Sequence, residues 1–190
     1  MSDADGTKAT GPWDVTEVDG PDGRLDFGSL WVRGVDGLQV QAQVDEASGA
    51  VSVVTLTHGQ GGLQLQAFAA PRTGGLWEEV RGKLRSSVTG QGGVIEEAQG
   101  EHGVELRGKV PGQGALQPVR FVGVDGPRWF LRGLFLGAAA EPGGSPELEQ
   151  VFRDIVVVRG GDAMPMGEAL AMRLPQMDPG ASDQGASPAT

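Results

Sequence analysis

The sequence predicts a single α+β domain with a large, mostly antiparallel β-sheet flanked by two principal helices. Short apolar segments alternate with glycine-bearing turns, and 33 of the 190 residues are glycine, a composition that favours many short strands. Only two stretches have the apolar period of a helix. Strands precede and follow the first of these stretches, and the second lies just before a last strand. This order is typical of the α+β class.

The first half of the domain contains five predicted strands, over residues 13–18, 25–32, 38–44, 51–57 and 63–69. The strand LQVQAQV (38–44) alternates strictly between a face of glutamines and an apolar face, which consists of Leu38, Val40, Ala42 and Val44. Such alternation is typical of a half-buried strand. The last three strands have similar lengths and short connections, so they predict an antiparallel meander.

The first helix is predicted over residues 76–88, where apolar residues recur with helical spacing. Glu78 and Glu79 lie in its first turn and basic residues follow, which matches the direction of the helix dipole. Glu79 and Lys83 also form an i,i+4 pair in the favourable order. Gly90 and the glycines after it are expected to end this helix.

The second half is predicted to contain strands at VIEEAQ (94–99) and GVELRGKV (103–110), a hairpin over residues 119–137 and a last strand at IVVV (155–158). Before that last strand, Ser145 and Pro146 are a typical N-cap and first helical residue. A short apolar series then follows with helical spacing, at Leu148, Val151, Phe152 and Ile155. These residues predict the second helix.

Arginines interrupt the predicted hairpin VRFVGVDGPRWFLRGLFLG (119–137). Arg120 and Arg132 lie inside its apolar strands, and Arg128 follows a turn predicted at residues 125–127. An unpaired charge buried there would cost several kcal/mol, on the order of the effective penalty for a buried ion. The arginines can therefore pair with buried acids, snorkel along an apolar surface, or anchor a ligand or partner. We favour the first two, and the candidate acids are Asp26, Glu105 and Asp154.

The length of the hairpin loop decides whether Arg120 and Arg132 share a face of the sheet. A loop of two or four residues places them on opposite faces. A loop of three residues places both on one face, beside Val122 and Phe130. Gly126-Pro127 is compatible with either register.

Composition limits the partners and the cellular setting. The net charge of −10 disfavours direct binding to nucleic acid or anionic membranes, although residues 51–140 carry seven acids and nine bases. The chain contains no cysteine, no apolar run near the roughly 20 residues of a membrane span and no signal-peptide pattern at residues 1–11. We therefore expect a cytoplasmic protein whose domain covers residues 11–175, with disordered tails at 1–10 and 176–190.

Catalytic and metal-binding motifs are not recognisable. The two histidines, His58 and His102, lie in glycine-flanked segments, and two exposed turn histidines are a simpler interpretation than a metal site completed by Asp45 or Glu101. The sequence lacks the G-x-S-x-G pattern of a serine nucleophile, and residues 75–83 lack the spacing of a phosphate loop. We expect no metal and no cofactor, and the lack of a catalytic motif favours a non-catalytic protein over an enzyme.

Several blocks resemble a known family. GPWDVTEVDGPDGRLDFGSL, LQLQAFAAPRTGGLWEEVR, PVRFVGVDGPRWFLRGLFLG and VFRDIVVVRG are similar to an actinobacterial family of unknown function, domain-of-unknown-function family 3710. The resemblance runs from Gly11 to Pro175 and implies a bacterial cytoplasmic origin, but no activity, cofactor or catalytic residue. The order of elements is also similar to the Mog1/PsbP-like arrangement, which implies topology alone.

These observations predict a non-catalytic binding or adaptor module that uses the hairpin to contact a protein partner or another copy of itself. Tryptophan and arginine are enriched at binding hot spots, and the candidate contact residues are Arg120, Arg128, Trp129 and Arg132, with Arg72 and Trp77 beside them. Two alternatives stay open. One is an enzyme or a binder of a small anion such as a nucleotide or phosphorylated metabolite; the other is a homo-oligomer formed through an apolar sheet face.

Overall fold

The computed structural model describes residues 10–175. The tails predicted at residues 1–10 and 176–190 lie outside the described residues, apart from Thr10. The strands are β1 (Trp13–Asp14), β2 (Leu25–Asp26), β3 (Leu30–Val32), β4 (Gln39–Val44), β5 (Val51–His58), β6 (Gly61–Ala69), β7 (Val94–Gly100), β8 (Gly103–Pro111), β9 (Leu116–Gly126), β10 (Trp129–Gly137) and β11 (Val156–Val157). The helices are α1 (Leu76–Gly90) and α2 (Pro146–Arg153), with one-turn 3-10 helices at Val15–Glu17 and Ala138–Ala140.

Seven strands form one antiparallel sheet in the order β4-β5-β6-β10-β9-β8-β7. It consists of two meanders, β4 to β6 and β7 to β10, joined by the antiparallel pairing of β6 with β10. The predicted α+β class, the large antiparallel sheet and the two helices are confirmed. The predicted first meander is confirmed as well, because each of its strands pairs with the next in sequence.

A second, smaller sheet was not predicted; its order is β1-β11-β3-β2. The strand predicted over residues 13–18 ends after Asp14, whose side chain accepts hydrogen bonds from the next turn and caps a 3-10 helix. The strand predicted over residues 25–32 is divided at Gly28, where a φ of 85° interrupts the extended backbone. Pairing across distant parts of the chain completes this sheet, since β1 runs parallel to β11.

Helix α1 packs on one face of the large sheet, and α2 with the small sheet packs on the other. Val119, Phe121 and Phe130 belong to the core beneath α1, whereas Val122 and Phe135 belong to the core beneath α2. The central strands β9 and β10 are therefore buried on both sides. Such strands read as continuous apolar runs, which explains the composition of the hairpin.

Two glycines let the helices approach the sheet closely. A β-carbon at Gly123 would lie 2.2 Å from the Trp77 ring of α1, and one at Gly133 would lie 2.6 Å from the Phe152 ring of α2. No side chain fits at either distance, so the absence of a side chain at these two positions sets how deeply each helix sits on its face.

Strand β4 is more exposed than its alternation predicts. Its free edge pairs with no strand of the described chain, and Val40 and Val44 keep 38% and 46% of their surface accessible. Helix α2 packs mainly against β5 and β6. On the predicted apolar face, Leu38 and Ala42 pack against the core, whereas Val40 and Val44 do not become buried, because a local pattern cannot report how far the opposing layer extends.

None of the helices within residues 10–175 is long and apolar enough to cross a membrane.

Candidate functional site

The hairpin between β9 and β10 turns over two residues, Pro127 and Arg128, because Gly126 pairs directly with Trp129. Proline at the first turn position and a φ of 66° at Arg128 are features of a type II turn. The turn predicted at residues 125–127 is therefore wrong by one residue. The two-residue loop places Arg120 and Arg132 on opposite faces, which resolves the two registers that the sequence left open.

Arg120 is buried beneath α2 and is held by acids. Its guanidinium pairs with Glu105 at 3.5 Å, pairs with Glu149 of α2 and donates to the carbonyl oxygen of Ala139 at 3.1 Å. It also lies 4.1 Å from the centre of the Phe135 ring. Arg120 therefore joins α2 to the sheet, and Glu105 is one of the three acids that the sequence suggested as its partner.

The two tryptophans of the predicted contact surface are core residues. Trp129 is fully buried, and its indole N–H donates to the Asp14 carboxylate at 2.7 Å. Trp77 is 7% exposed and donates to the Val104 carbonyl at 2.7 Å. Each indole thus buries its ring and satisfies its one donor, as buried tryptophans usually do. The six predicted contact residues consequently do not form one surface.

Arg72 and Arg128 lie at the turn end of the hairpin. Arg72 is exposed and lines a hollow of 670 Å³ together with Asp14 and Glu17, but hydrogen bonds of the nearby 3-10 helix already engage both acids. The backbone carbonyl of Arg128 accepts from Ala70 at 3.0 Å and from the Arg159 side chain at 3.1 Å. The position of Arg128 is therefore fixed through its backbone.

A groove of 520 Å³ runs between α1 and the sheet. The partly buried Phe68 forms its floor and is stacked on the fully buried Phe130, with ring centres 5.9 Å apart. Apolar side chains of α1 form one wall (Leu76, Val80 and Leu84). Met166 lines the opposite side with 70% of its surface exposed. The segment that contains Met166 is held against the end of β6 that does not pair with β5. There the Gly167 amide donates to the Ala69 carbonyl at 2.8 Å. The groove is thus apolar and open to solvent.

Arg132 is the cation at the floor of this groove. Its guanidinium lies 5.4 Å from the centre of the Phe68 ring and donates to the Gln66 side-chain oxygen. The Gln66 amide nitrogen donates to the Ser52 carbonyl at 3.1 Å, so its oxygen is turned toward Arg132. Burial lowers the pKa of the Arg132 guanidinium below its ordinary value.

No acid among the described residues forms an ion pair with Arg132, and its Nε and second Nη have no hydrogen-bond partner there. These two nitrogens are also not enclosed by the protein. Arg120 and Arg132 therefore differ in kind: the first is neutralised by two carboxylates, and the second has only a neutral amide and a ring beside it.

A second charged cluster lies beneath α2. Three arginines and three glutamates line a cavity of 240 Å³, namely Glu101, Glu105, Arg107, Arg120, Glu149 and Arg153. Glu101 accepts two hydrogen bonds from Arg153, at 2.6 and 2.7 Å. This bond lowers the pKa of the Glu101 carboxyl below 4.5 and raises that of Arg153. The charges compensate one another within the cluster.

The histidines lie in different environments. His58 approaches the Asp36 carbonyl at 3.2 Å and the Glu147 carboxylate at 3.6 Å, whereas the His102 ring contacts the Phe152 ring with centres 5.2 Å apart. Both are partly buried rather than exposed. Residues 10–175 contain no group of three or more histidine, aspartate or glutamate side chains that could hold a metal ion.

One feature of the sequence indicates the groove. In LQLQAFA (63–69) the even-numbered positions form the polar face, yet Phe68 occupies that face after Gln64 and Gln66. A single aromatic side chain on an otherwise polar strand face indicates a local apolar neighbour. The register of β6 against β10 then places Phe68 opposite Phe130 and Gln66 opposite Arg132.

Comparison with known proteins identifies one family. A family model described as "Protein of unknown function (DUF3710)" matches residues 11–179, which is most of the chain. No curated protein and no solved structure matches the chain. The likeness of the element order to the Mog1/PsbP-like arrangement therefore stays a prediction.

Proposed function

The chain belongs to the DUF3710 family of proteins of unknown function, and we propose that this domain is a binding module for an apolar molecule with one anionic head group. The ligand lies in the groove beside α1, and its head group pairs with Arg132. This site differs from the surface expected from the sequence, since Arg132 is the one predicted contact residue that lines the groove.

The observation that carries the proposal is a half-buried arginine without an acid, in a groove that is otherwise mostly apolar. A guanidinium removed from water loses hydration, and a carboxylate usually compensates for it. The unpartnered Nε and second Nη of Arg132 lie on opposite sides of the guanidinium, and each can donate a charge-assisted hydrogen bond to a carboxylate or phosphate oxygen. An anionic ligand would supply the counter-ion that the described protein lacks at this position.

The lining supports an apolar body for the ligand. The Phe68 ring, stacked on the buried Phe130, forms the floor, and the α1 wall from Leu76 to Ser87 is about 16 Å long at the usual rise of a helix. The volume of 520 Å³ lies within the range of small-molecule sites, roughly 300–1,000 Å³. These dimensions suit an extended acyl chain or a ligand of similar size.

The charges around the groove support a single negative charge on the ligand. Lys83, the other cation in the lining, already pairs with Glu79 at 2.5 Å, so one cation is available. The chain carries a net charge of −10, which disfavours highly charged anions at long range. A nucleotide with several phosphates is therefore less well matched than a monocarboxylate.

Calorimetric titration with decanoate, below its micellar concentration, tests the proposal. We expect saturable binding of decanoate and much weaker binding of decanol, because only the carboxylate can pair with Arg132. Arg132→Gln should remove the preference for decanoate, whereas the matched variant Arg128→Gln at the hairpin turn should retain it.

Equal binding of decanoate and decanol by the native protein, or an unchanged preference in Arg132→Gln, would overturn the proposal. Displacement of bound decanoate by an acidic, apolar peptide would show that the groove serves a protein partner instead. The cytoplasmic setting is also part of the proposal, and fractionation of the native host tests it.

A further inference from the structure

Strand β4 is an edge strand without the features that usually prevent edges from pairing. Natural edge strands are commonly protected by charged residues, prolines or a covering segment. The β4 sequence QVQAQV contains neither charge nor proline, and all of its residues except Ala42 are exposed. Its outer edge pairs with no described strand.

The other edge of the same sheet is protected, which makes the contrast informative. Strand β7 carries Glu96 and Glu97 at its centre. Pairing two copies of β7 in antiparallel fashion about that centre would bring carboxylates close together, and like charges in cross-strand positions are destabilising. One edge of the sheet thus opposes self-association and the other does not.

From this contrast we propose that two copies of the chain pair through β4, antiparallel about a two-fold axis at Ala42. Backbone groups of the two edges complete each other's hydrogen bonds, and one continuous sheet of fourteen strands results from two seven-stranded sheets. The contact is isologous, so it closes at two copies and does not propagate.

The β4 sequence is self-complementary in this register. With Ala42 opposite its own copy, Val40 faces Val44 of the second copy on one side of the sheet, and Gln41 faces Gln43 on the other. The exposed valines would cover each other, and paired glutamine amides can exchange hydrogen bonds. Asp45, at the end of the strand, faces Gln39, so the register places no acid directly opposite another acid.

The net charge of −10 per copy gives the pairing a distinctive dependence on salt. Two copies repel each other at long range, and added salt screens that repulsion. The backbone and valine contacts at β4 contain no ion pair that salt would weaken. The fraction of dimer is therefore expected to rise with salt concentration.

Sedimentation velocity of the full chain over a wide concentration range tests this proposal. We expect the native protein to shift from monomer to dimer as its concentration rises, and more readily at high salt. The double variant Val40→Lys/Val44→Lys should stay monomeric, because lysines would then face lysines. Val40→Lys/Val44→Glu should restore the dimer, because each lysine would face a glutamate of the other copy. Both positions are already exposed, so folding should be retained.

The control is Val94→Lys, which adds a lysine to the exposed Val94 of β7 and should dimerise like the native protein. A native chain that stays monomeric at every concentration would overturn the proposal. So would loss of the dimer in Val94→Lys, which would place the contact at β7. Failure of the lysine–glutamate variant to recover the dimer would exclude this register. None of these outcomes depends on ligand binding in the groove beside α1.

Discussion

The same residue type performs two different tasks in adjacent strands. Arg120 is buried with Glu105 and Glu149, and Arg132 lies on the opposite face with a neutral glutamine. A buried arginine paired with acids is a structural element, because removing it leaves those acids without a counter-ion. An arginine without an acid has no comparable structural role, and its charge is available to a ligand.

Substitution of the two arginines should separate these tasks. Arg120→Met should lower the free energy of unfolding by about 3–5 kcal/mol, the usual result of removing one partner from a buried ion pair. Arg132→Met should change it by about 1 kcal/mol or less, because no ion pair with the described residues is broken. Urea unfolding at neutral pH measures both. Similar losses for the two variants would mean that Arg132 is also a structural residue.

Arg128 illustrates a residue whose backbone matters more than its side chain. Its φ of 66° lies in the left-handed region, which costs a residue with a side chain roughly 1–2 kcal/mol. Arg128→Gly should therefore stabilise the protein by about 1 kcal/mol relative to Arg128→Ala, which retains the β-carbon. Thermal unfolding of the two variants checks this. If they have the same Tm, the turn is not strained at this residue.

At the scale of elements, helix α1 depends on the hairpin for its N-terminal cap. Its own N-cap, Gly75, has no side chain, and the Asp125 carboxylate of β9 accepts from the amides of Leu76 and Trp77 at 3.1 and 3.4 Å. An acid from a distant strand thus serves the purpose that a serine or aspartate usually serves just before a helix. The hairpin and the helix wall of the groove are coupled through this contact.

Asp125→Ala should destabilise the protein by about 1 kcal/mol, the typical effect of losing an N-cap side chain. Asp125→Asn retains an acceptor oxygen and should lose less. Urea unfolding measures both, and Asp19→Ala, an exposed acid in a turn, provides the control. An effect no larger than that of Asp19→Ala would contradict the capping role.

The bond between Glu101 and Arg153 fastens α2 to the turn between β7 and β8. Arg153 holds the pKa of the Glu101 carboxyl below 4.5, so the folded state binds that proton more weakly than the unfolded state. The stabilisation is therefore present above pH 4.5 and is lost as the pH falls through the lower folded pKa.

Glu101→Gln should consequently be less stable than the native protein at neutral pH and equally stable in acid below the folded pKa. Unfolding measured across that pH range checks this. Glu141→Gln, which changes an exposed acid without an ion pair in the described chain, provides the control because it breaks no such bond. A difference between Glu101→Gln and the native protein that does not vary with pH would exclude the bond as its source.

Elements long enough to show a repeated apolar pattern could be predicted from the sequence. The pairing of strands that are distant along the chain could not. The apolar repeat of α1 and the alternation of β4 to β6 are local, and these elements lie where the sequence predicted them. Strands were predicted over residues 13–18 and 155–158, but β1 and β11 contain only two residues each. Their pairing joins distant segments of the chain, so the small sheet that contains them could not be predicted. The sequence could suggest Glu105 as a partner of Arg120. It could not show that Arg132 lacks an acidic partner, because the face on which Arg132 lies depends on the length of the hairpin loop.

At the scale of the whole molecule, the groove results from unequal cover of the two sheet faces. Helix α2 and the small sheet cover one face of the central strands, whereas α1 contacts β7 and β9 on the other. Beyond α1 the sheet surface changes to amides and hydroxyls, such as Thr55, Gln64 and Gln66, which are only partly buried. Helix α1 stops covering the sheet at Phe68, Phe130 and Arg132, and the groove lies at this boundary.

Pairing of Arg132 with an anionic head group would be visible in the resonances of the arginine Nε–H groups. These resonances are followed by NMR while decanoate is added to the native protein, with decanol as the uncharged reference. We expect the Arg132 resonance to shift and saturate with decanoate alone, while those of Arg120 and Arg128 stay in place. An unmoved Arg132 resonance, or equal shifts with decanol, would contradict it.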